Sequence, residues 1–423
     1  MREELVILIV MLGISAAGFI ATKNDKKYAV AVLLAAAVAG SLAAGMGVRF
    51  REIVEGPFGF LDAALSVVCA AVFVRVLEKT GAFDTLLEKI LGMKNRMLKA
   101  LCMALLIALP GMLTGFATAS VLTTGTLVGR RMKDAGVAQD KIARTVVIGA
   151  FLGMMLPPNC MPAMIAANGA GSVLPTPYVG FFLPLLVLSL PAFAAYVIVC
   201  RDTLSFTAEA REAKPCRAPL IVALLTALAL LVEGLLSSVV YIGGNVLIYT
   251  IAVILLLTVD RRGVRTALDT VSAGLMDAAV PVAMMFALGS FIEVSSMTGI
   301  RGYFSLKILG IETPVVMLVL MALSIVIGLF LGAPIPGFLA AYAVFPIGWL
   351  ANTVIVTGVA SSLGIAYLLA MRGGLVGDTV NALELTDVSW KGTVKHLLLP
   401  AALLLAMGVV MVVFGDSMTA LIL

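Results

Sequence analysis

Two places in this sequence gather residue types that could hold an ion or a polar solute inside an apolar surround. The first joins Met112–Ser120, which carries Thr114, Gly115, Thr118 and Ser120, to Gly153–Met161, which contains Leu156-Pro157-Pro158-Asn159. Glycine and proline interrupt helical hydrogen bonding and free main-chain carbonyls. Those oxygens, with the hydroxyls, are the hard ligands that a small cation such as Na⁺ takes. Thr114, Gly115, Gly153 and Pro157 are the cation-binding candidates of this half, and Asn159 and Thr118 the substrate-binding ones. Asn168 adds a neutral polar contact, and a half-helix N-terminus beyond each break could face an anionic group. The same residues also fit a simpler role, in which small side chains and prolines let helices pack closely.

The second place joins Leu331–Phe338 (LGAPIPGF) to Met371–Ala382 (MRGGLVGDTVNA). Pro334, Pro336 and Gly337 would make a turn, and Gly373, Gly374 and Gly377 would unwind the segment that follows. Arg372 and Asp378 lie inside an apolar run, where an uncompensated charge is expensive and usually functional. A guanidinium can hold a carboxylate in bidentate fashion, so Arg372, with Gly373 beside it, is a substrate-binding candidate. Asp378 could bind a cation, carry a proton or neutralise Arg372; it joins Pro336 and Gly337 as a cation-binding candidate. Glu233 falls well inside an apolar run as a protonated or partnered carboxylate, or lies at its outer end if the run is shifted. Arg75, Glu78 and Glu293 lie near run ends and read as structural pairs.

The elements that position these residues are membrane helices. The chain has 423 residues, 61% hydrophobic and 13% charged, against roughly 25% charged in soluble domains. Its mean hydropathy is +1.12. Apolar runs of membrane length recur throughout, at 4–21, 28–47, 58–78, 145–166, 178–200, 218–240, 242–259, 272–296, 358–382 and 397–414. Between them, about 100–129 and about 314–351 are too long and too interrupted for one straight helix, and each reads as a re-entrant hairpin. Residues 80–98 and 260–271 mix apolar and charged positions, as helices along a membrane surface do. The acidic start, Met1-Arg2-Glu3-Glu4, lacks the pattern of a signal peptide and reads as the first helix.

Ten crossings with both hairpins returning to the side they entered put the N-terminus outside. All six basic clusters, from Lys23/Lys26/Lys27 to Lys391/Lys395, then fall in the cytoplasm, as the positive-inside rule asks. The halves also resemble each other. Asp62 and Glu78 match Asp277 and Glu293 at a shift of 215, and Gly115-Phe116 matches Gly337-Phe338 at 222. Residues 1–200 and 218–423 then form two inverted repeats joined by a polar cytoplasmic linker at 201–217. Such repeats suit alternating access around a shared midplane site.

The residues exclude other classes. The five cysteines are scattered without a pairing pattern, and the single histidine, His396, cannot form a metal cluster. No nucleophile–base pair suggests an enzyme, no cofactor is implied beyond a coupling ion, and no basic domain suggests nucleic acid. An integral membrane enzyme or a structural subunit is the remaining alternative.

At GMLTGFATAS, RRMKDAG and LGMMLPPN the chain resembles the ion-transporter superfamily, and within it the large membrane subunit of TRAP (tripartite ATP-independent periplasmic) transporters. That subunit has a Gly/Ser-rich hairpin, a basic turn and then a helix with Gly-x-x-x-Pro-Pro. About 60 residues carry the likeness; in the second half Met371-Arg372-Gly373-Gly374 stands where the family has another Pro-Pro pair. The resemblance implies an all-α elevator-type transporter in a bacterial or archaeal cytoplasmic membrane. It also implies Na⁺ coupling, a small membrane partner and a periplasmic binding protein for an organic acid. The expected function is secondary transport of a small organic anion, of the carboxylate or dicarboxylate class, coupled to Na⁺ or H⁺. The alternative is a stand-alone Na⁺/H⁺ antiporter with Asp378 as the exchanged carboxylate.

Overall fold

The structure is a computed structural model that describes residues 3–22, 26–169, 178–208, 216–236, 244–260, 263–308, 310–331, 352–370, 374–386, 388 and 390–422. Among the described residues every regular element is helical. The chain begins with α1 (Glu3–Ala21), α2 (Lys26–Ala43), the short α3 (Phe50–Glu55), a 3₁₀ turn and α4 (Leu61–Lys79). After α5 (Ala82–Leu91) come α6 (Arg96–Thr114), α7 (Ala117–Ser120), a π-helical turn (Val121–Gly125) and α8 (Thr126–Asp134). A helix in two pieces follows, α9 (Gln139–Met155) and α10 (Met161–Gly169), then α11 (Phe182–Val199) and α12 (Arg201–Leu204). The remainder comprises α13 (Arg217–Leu235), α14 (Gly244–Asp260), α15 (Val264–Met297), α16 (Ile300–Ile308) and α17 (Thr313–Leu331). It ends with α18 (Thr353–Ala370), α19 (Gly374–Leu383), α20 (Trp390–Val413) and α21 (Gly415–Ile422).

Among the described residues, seven helices are long and apolar enough to cross a membrane, and Tyr28–Ala43, Gly244–Asp260, Thr313–Val326 and Thr353–Leu368 are shorter apolar ones. This is a multi-pass membrane protein. The expectation of a separate surface helix at 260–271 is corrected, because α15 runs unbroken for 34 residues from Val264. Neither glycine nor proline occurs between Val264 and Gly274, so nothing stops the helix there. The expected surface segment at 80–98 resolves into α5 and the start of α6. Phe83, Leu87 and Ile90 bury one face of α5, and Asn95 caps α6 by accepting from Met97 N at 3.0 Å and Leu98 N at 3.2 Å.

The helices pack in two groups. In the first, α4 lies against α15, α2 against α15, α14 against α4, α1 against α2 and α13 against α14. A close approach is at Gly56 and Gly289, where a side chain on either residue would strike the other's backbone. In the second group α6 lies against α9, α17 and α20 flank α18, α11 packs on α20, and α10 packs on α18. The two groups meet chiefly where α4 touches α6.

Candidate functional site

The site is built where α6 turns back on itself. Its last residue is Thr114, and Gly115 follows at φ +80° with its N–H on Gly111 O at 2.7 Å. That backbone region favours glycine, and a Cβ here would also sit 3.1 Å from Met161 N. The return arm lies back along α6. Ser120 Oγ accepts from Gly111 N at 2.7 Å, and Thr124 Oγ1 donates to Ile107 O at 3.2 Å. Both hydroxyls thus serve backbone groups beside Pro110, where proline disturbs a helix's own bonding.

The break between α9 and α10 docks onto this tip. Asn159 N donates to Met112 O and Met161 N donates to Gly115 O, each at 3.2 Å. The Asn159 side chain is fully buried. Its Oδ1 accepts from Asn245 Nδ2 at 2.9 Å and Ser66 Oγ at 3.2 Å, while its Nδ2 donates to Leu113 O at 2.5 Å and reaches Tyr249 Oη at 3.5 Å. Tyr249 Oη donates to Leu113 O as well, at 3.1 Å. Ser66 belongs to α4, and Asn245 and Tyr249 to α14, so this one carboxamide joins the second helix group to the first.

The carbonyls of Met112, Leu113 and Gly115 therefore each accept a protein donor already. The Thr114 hydroxyl donates to Pro110 O at 2.7 Å. A carbonyl has two lone pairs, so a cation at the tip would use the second of Met112 O and Gly115 O, whereas Leu113 O already takes both Asn159 Nδ2 and Tyr249 Oη. Gly153 has a packing role: a Cβ on it would strike Ala108 O, so it sets the close contact of α9 with α6. Pro157 sits in the break, with Asn159 two residues on.

Thr118 is half-buried and lines two cavities. The smaller, of about 250 Å³, also touches Thr114, Arg75 and Asp277. The larger, of about 540 Å³, is bounded by Phe116 and Leu122 of the hairpin, Met161 of α10, and Asp277 and Met284 of α15. Tyr367 of α18 and Asp378 and Asn381 of α19 close it. Thr118 and Asp378 are thus brought to one space, while Asn159 is buried behind the hairpin tip. Arg372, Gly373, Pro336 and Gly337 lie outside the described residues, and so does the side chain of Asn168.

One charged cluster, around Arg75 and Asp277, lies beside the smaller cavity, and other charges are held elsewhere. Arg75 donates in bidentate fashion to Asp277, Nε to Oδ2 at 2.8 Å and NH2 to Oδ1 at 3.0 Å, and its NH1 reaches Glu78 Oε2 at 2.7 Å. Arg131 NH2 pairs with Glu88 Oε1 at 2.6 Å. Arg144 NH1 lies 2.8 Å from His396 Nε2; a guanidinium only donates, so that nitrogen accepts. Glu233 is buried near the end of α13, and its Oε1 accepts from Gly244 N at the start of α14 at 2.7 Å, a carboxylate on a helix N-terminus. No disulfide joins the five cysteines, and burial pushes the Cys200 thiol up.

Sequence reasoning missed Ser66, Asn245 and Tyr249, and it weighed Asp277 only as a repeat marker. The available signal was a neutral amide or hydroxyl inside an apolar span, a weaker mark than a charge.

No family model matches this chain, and no curated protein matches it. Among solved structures, its fold is similar to that of the Alcanivorax borkumensis YdaH transporter, whose crystal structure is described as having an unusual topology. The TM-score is 0.62 at 15% identity, over 87% of this chain and 88% of that one. At that identity the likeness is one of fold.

Proposed function

We propose that the protein is a secondary active transporter that moves a small organic anion, coupled to Na⁺ or H⁺, by an elevator motion of one helix group against the other. The observation that carries this reading is the docking of a hairpin tip onto a broken helix, both from one group, with the buried Asn159 reaching the other. Interrupted helices meeting inside a membrane protein make the polar site that transporters use. The helix order supports an inverted repeat. The spans Phe50–Lys79 and Val264–Met297 are each followed by a short helix and a helix of 19 residues, and further on by two consecutive helices, α9 with α10 and α18 with α19, and then a long helix. The packing exchanges partners in the same sense, α2 against α15 and α14 against α4.

In this reading Thr114, Gly115 and Pro157 offer oxygens to one cation, and Pro336, Gly337 and Asp378 to a second. Thr118, Arg372 and Gly373 face the substrate, and Asn159, expected beside them, instead holds the hairpin tip from behind. The N-terminus is outside the cytoplasmic membrane. By its resemblance to the TRAP subunit, the chain would work with a small membrane protein and a periplasmic binding protein. The test is uptake of labelled organic acids into proteoliposomes under an imposed Na⁺ gradient. Accumulation that collapses with a Na⁺ ionophore, and in Asp378→Asn, is the expected result. Na⁺-driven proton movement without any acid, lost in Asp378→Asn and kept in Arg372→Ala, would replace it with the antiporter, the reading that a carboxylate lining the larger cavity also favours.

A further inference from the structure

We infer that solute reaches Thr118 from the end of the hairpin where α8 carries Arg130 and Arg131, along a polar cleft between the hairpin and α4, and that Thr123 is the neck of this route. The inference rests on the transporter reading above and adds to it the end at which solute enters. A cavity of about 550 Å³ lies at that end. Glu78 of α4 with Asp84 and Glu88 of α5 form one wall, and Thr126, Arg130 and Asp134 of α8 form the other. Asp84, Arg130 and Asp134 are exposed, so the cavity opens to solvent at its rim. Deeper lies the smaller cavity, of about 250 Å³, with Thr114 and Thr118 of the hairpin on one wall and Arg75 of α4 and Asp277 of α15 on the other.

Thr123 lines both cavities, so the two meet at its side chain. It sits in the π-helical turn Val121–Gly125, and such interruptions of α-helical register are frequent at functional sites. Its hydroxyl donates to Ala119 O at 2.6 Å, a bond within the return arm itself. On the other wall Arg75 spans the same junction. Its NH1 holds Glu78 of the outer cavity, and its Nε and NH2 hold Asp277 of the inner one. Ionisable groups at the depth of a membrane span pair with one another or face a water-filled cavity. Polar groups on both walls let water fill this cleft, so a hydrated solute passes without being stripped against an apolar surface. Thr118 also lines the cavity of about 540 Å³, so the cleft leads to the larger space. Its two walls belong to different helix groups, α4 and α15 to the first and the hairpin to the second, and the proposed motion would therefore open and close it.

The experiment is cysteine modification of the full chain in sealed vesicles of known orientation, with a membrane-impermeant methanethiosulfonate added to one face at a time. Thr126→Cys, in the outer cavity, is compared with Thr118→Cys, in the inner one, and the unsubstituted chain gives the background of its five native cysteines. The expected result is that Thr118→Cys reacts from the same face as Thr126→Cys. Adding Thr123→Trp should slow Thr118→Cys about tenfold or more and leave Thr126→Cys unchanged, because an indole takes the room that water needs. If that variant does not fold, Ala119→Phe on the wall of the inner cavity takes its place. Reaction of Thr118→Cys from the opposite face only, or from neither, overturns the inference. So does a Thr118→Cys rate that a folded plug variant leaves unchanged. No cargo is needed, so the two readings fail separately: a plug-sensitive route in a chain that moves no solute in proteoliposomes keeps the cleft as the way in and removes the transporter reading.

Discussion

Replacing Asn159 by leucine tests whether its carboxamide holds the two helix groups together. The substitution keeps the side chain's approximate size and removes four contacts, to Ser66, Asn245, Leu113 and Tyr249. Interhelical hydrogen bonds in membranes average about 0.6 kcal/mol, so four of them set a floor near 2 kcal/mol. The ceiling comes from groups left stranded. Leu113 O keeps Tyr249 Oη, but the amide of Asn245 and the hydroxyl of Ser66 lose their common acceptor. A buried donor without a partner costs about 1–3 kcal/mol, so the two together reach about 6 kcal/mol. Ser66 can turn to a carbonyl of its own helix, which pulls the expectation down to about 2–4 kcal/mol. The assay is reversible unfolding in mixed micelles of Asn159→Leu, Asn245→Leu and the double variant, because a double-mutant cycle separates their shared term from the rest. A single-variant cost below about 0.5 kcal/mol, with no coupling between the two sites, would refute the network.

Two further substitutions probe the frame around the site. Gly153→Ala drives a methyl group into Ala108 O, backbone against side chain, and should cost about 1–3 kcal/mol by overpacking, seen as a lower melting temperature and yield; an unchanged melting temperature would show that α6 and α9 are not in close contact. Arg75→Gln strands Asp277 and Glu78. Because the side chains of Arg75 and Asp277 are 24% and 34% exposed, the loss should be about 1–3 kcal/mol, below that of a fully buried pair. Adding Asp277→Asn should recover part of it, and a double variant no better than Arg75→Gln would mean that Glu78 is the partner that matters.

The membrane class and most helix positions were legible because they rest on hydropathy, which a sequence displays directly. The breaks were legible for the same kind of reason: Pro157, Pro158, Gly115 and Gly153 are conspicuous inside apolar runs. What each did was less legible. Gly115 serves a positive φ and a close approach to Met161, whereas Gly153 exists to let Ala108 come near, and only tertiary packing separates the two. The boundary of α15 was misplaced because charges at Arg265 and Asp269 look like an interfacial segment, yet charge does not stop a helix as glycine or proline does. Asn245 and Tyr249 were invisible as site residues, since a lone amide or phenol in a span acquires meaning only from what it faces.

The kinds of bond at each contact bear on the proposed motion. Arg75 and Asp277 tie α4 to α15 within the first group, and Arg144 and His396 tie α9 to α20 within the second. Across the boundary, the contacts of Asn159 and Leu113 with Ser66, Asn245 and Tyr249 are neutral. A charged pair between the groups would have to separate in every cycle, and each stranded charge would face lipid or protein without compensation. Neutral hydrogen bonds worth about 0.6 kcal/mol each can be exchanged for others at small cost. Among the described residues, Arg75–Asp277 and Arg144–His396 lie inside a group while amide and hydroxyl contacts lie between the groups, a division that the proposed motion would require. A rigid structural subunit would gain nothing from it.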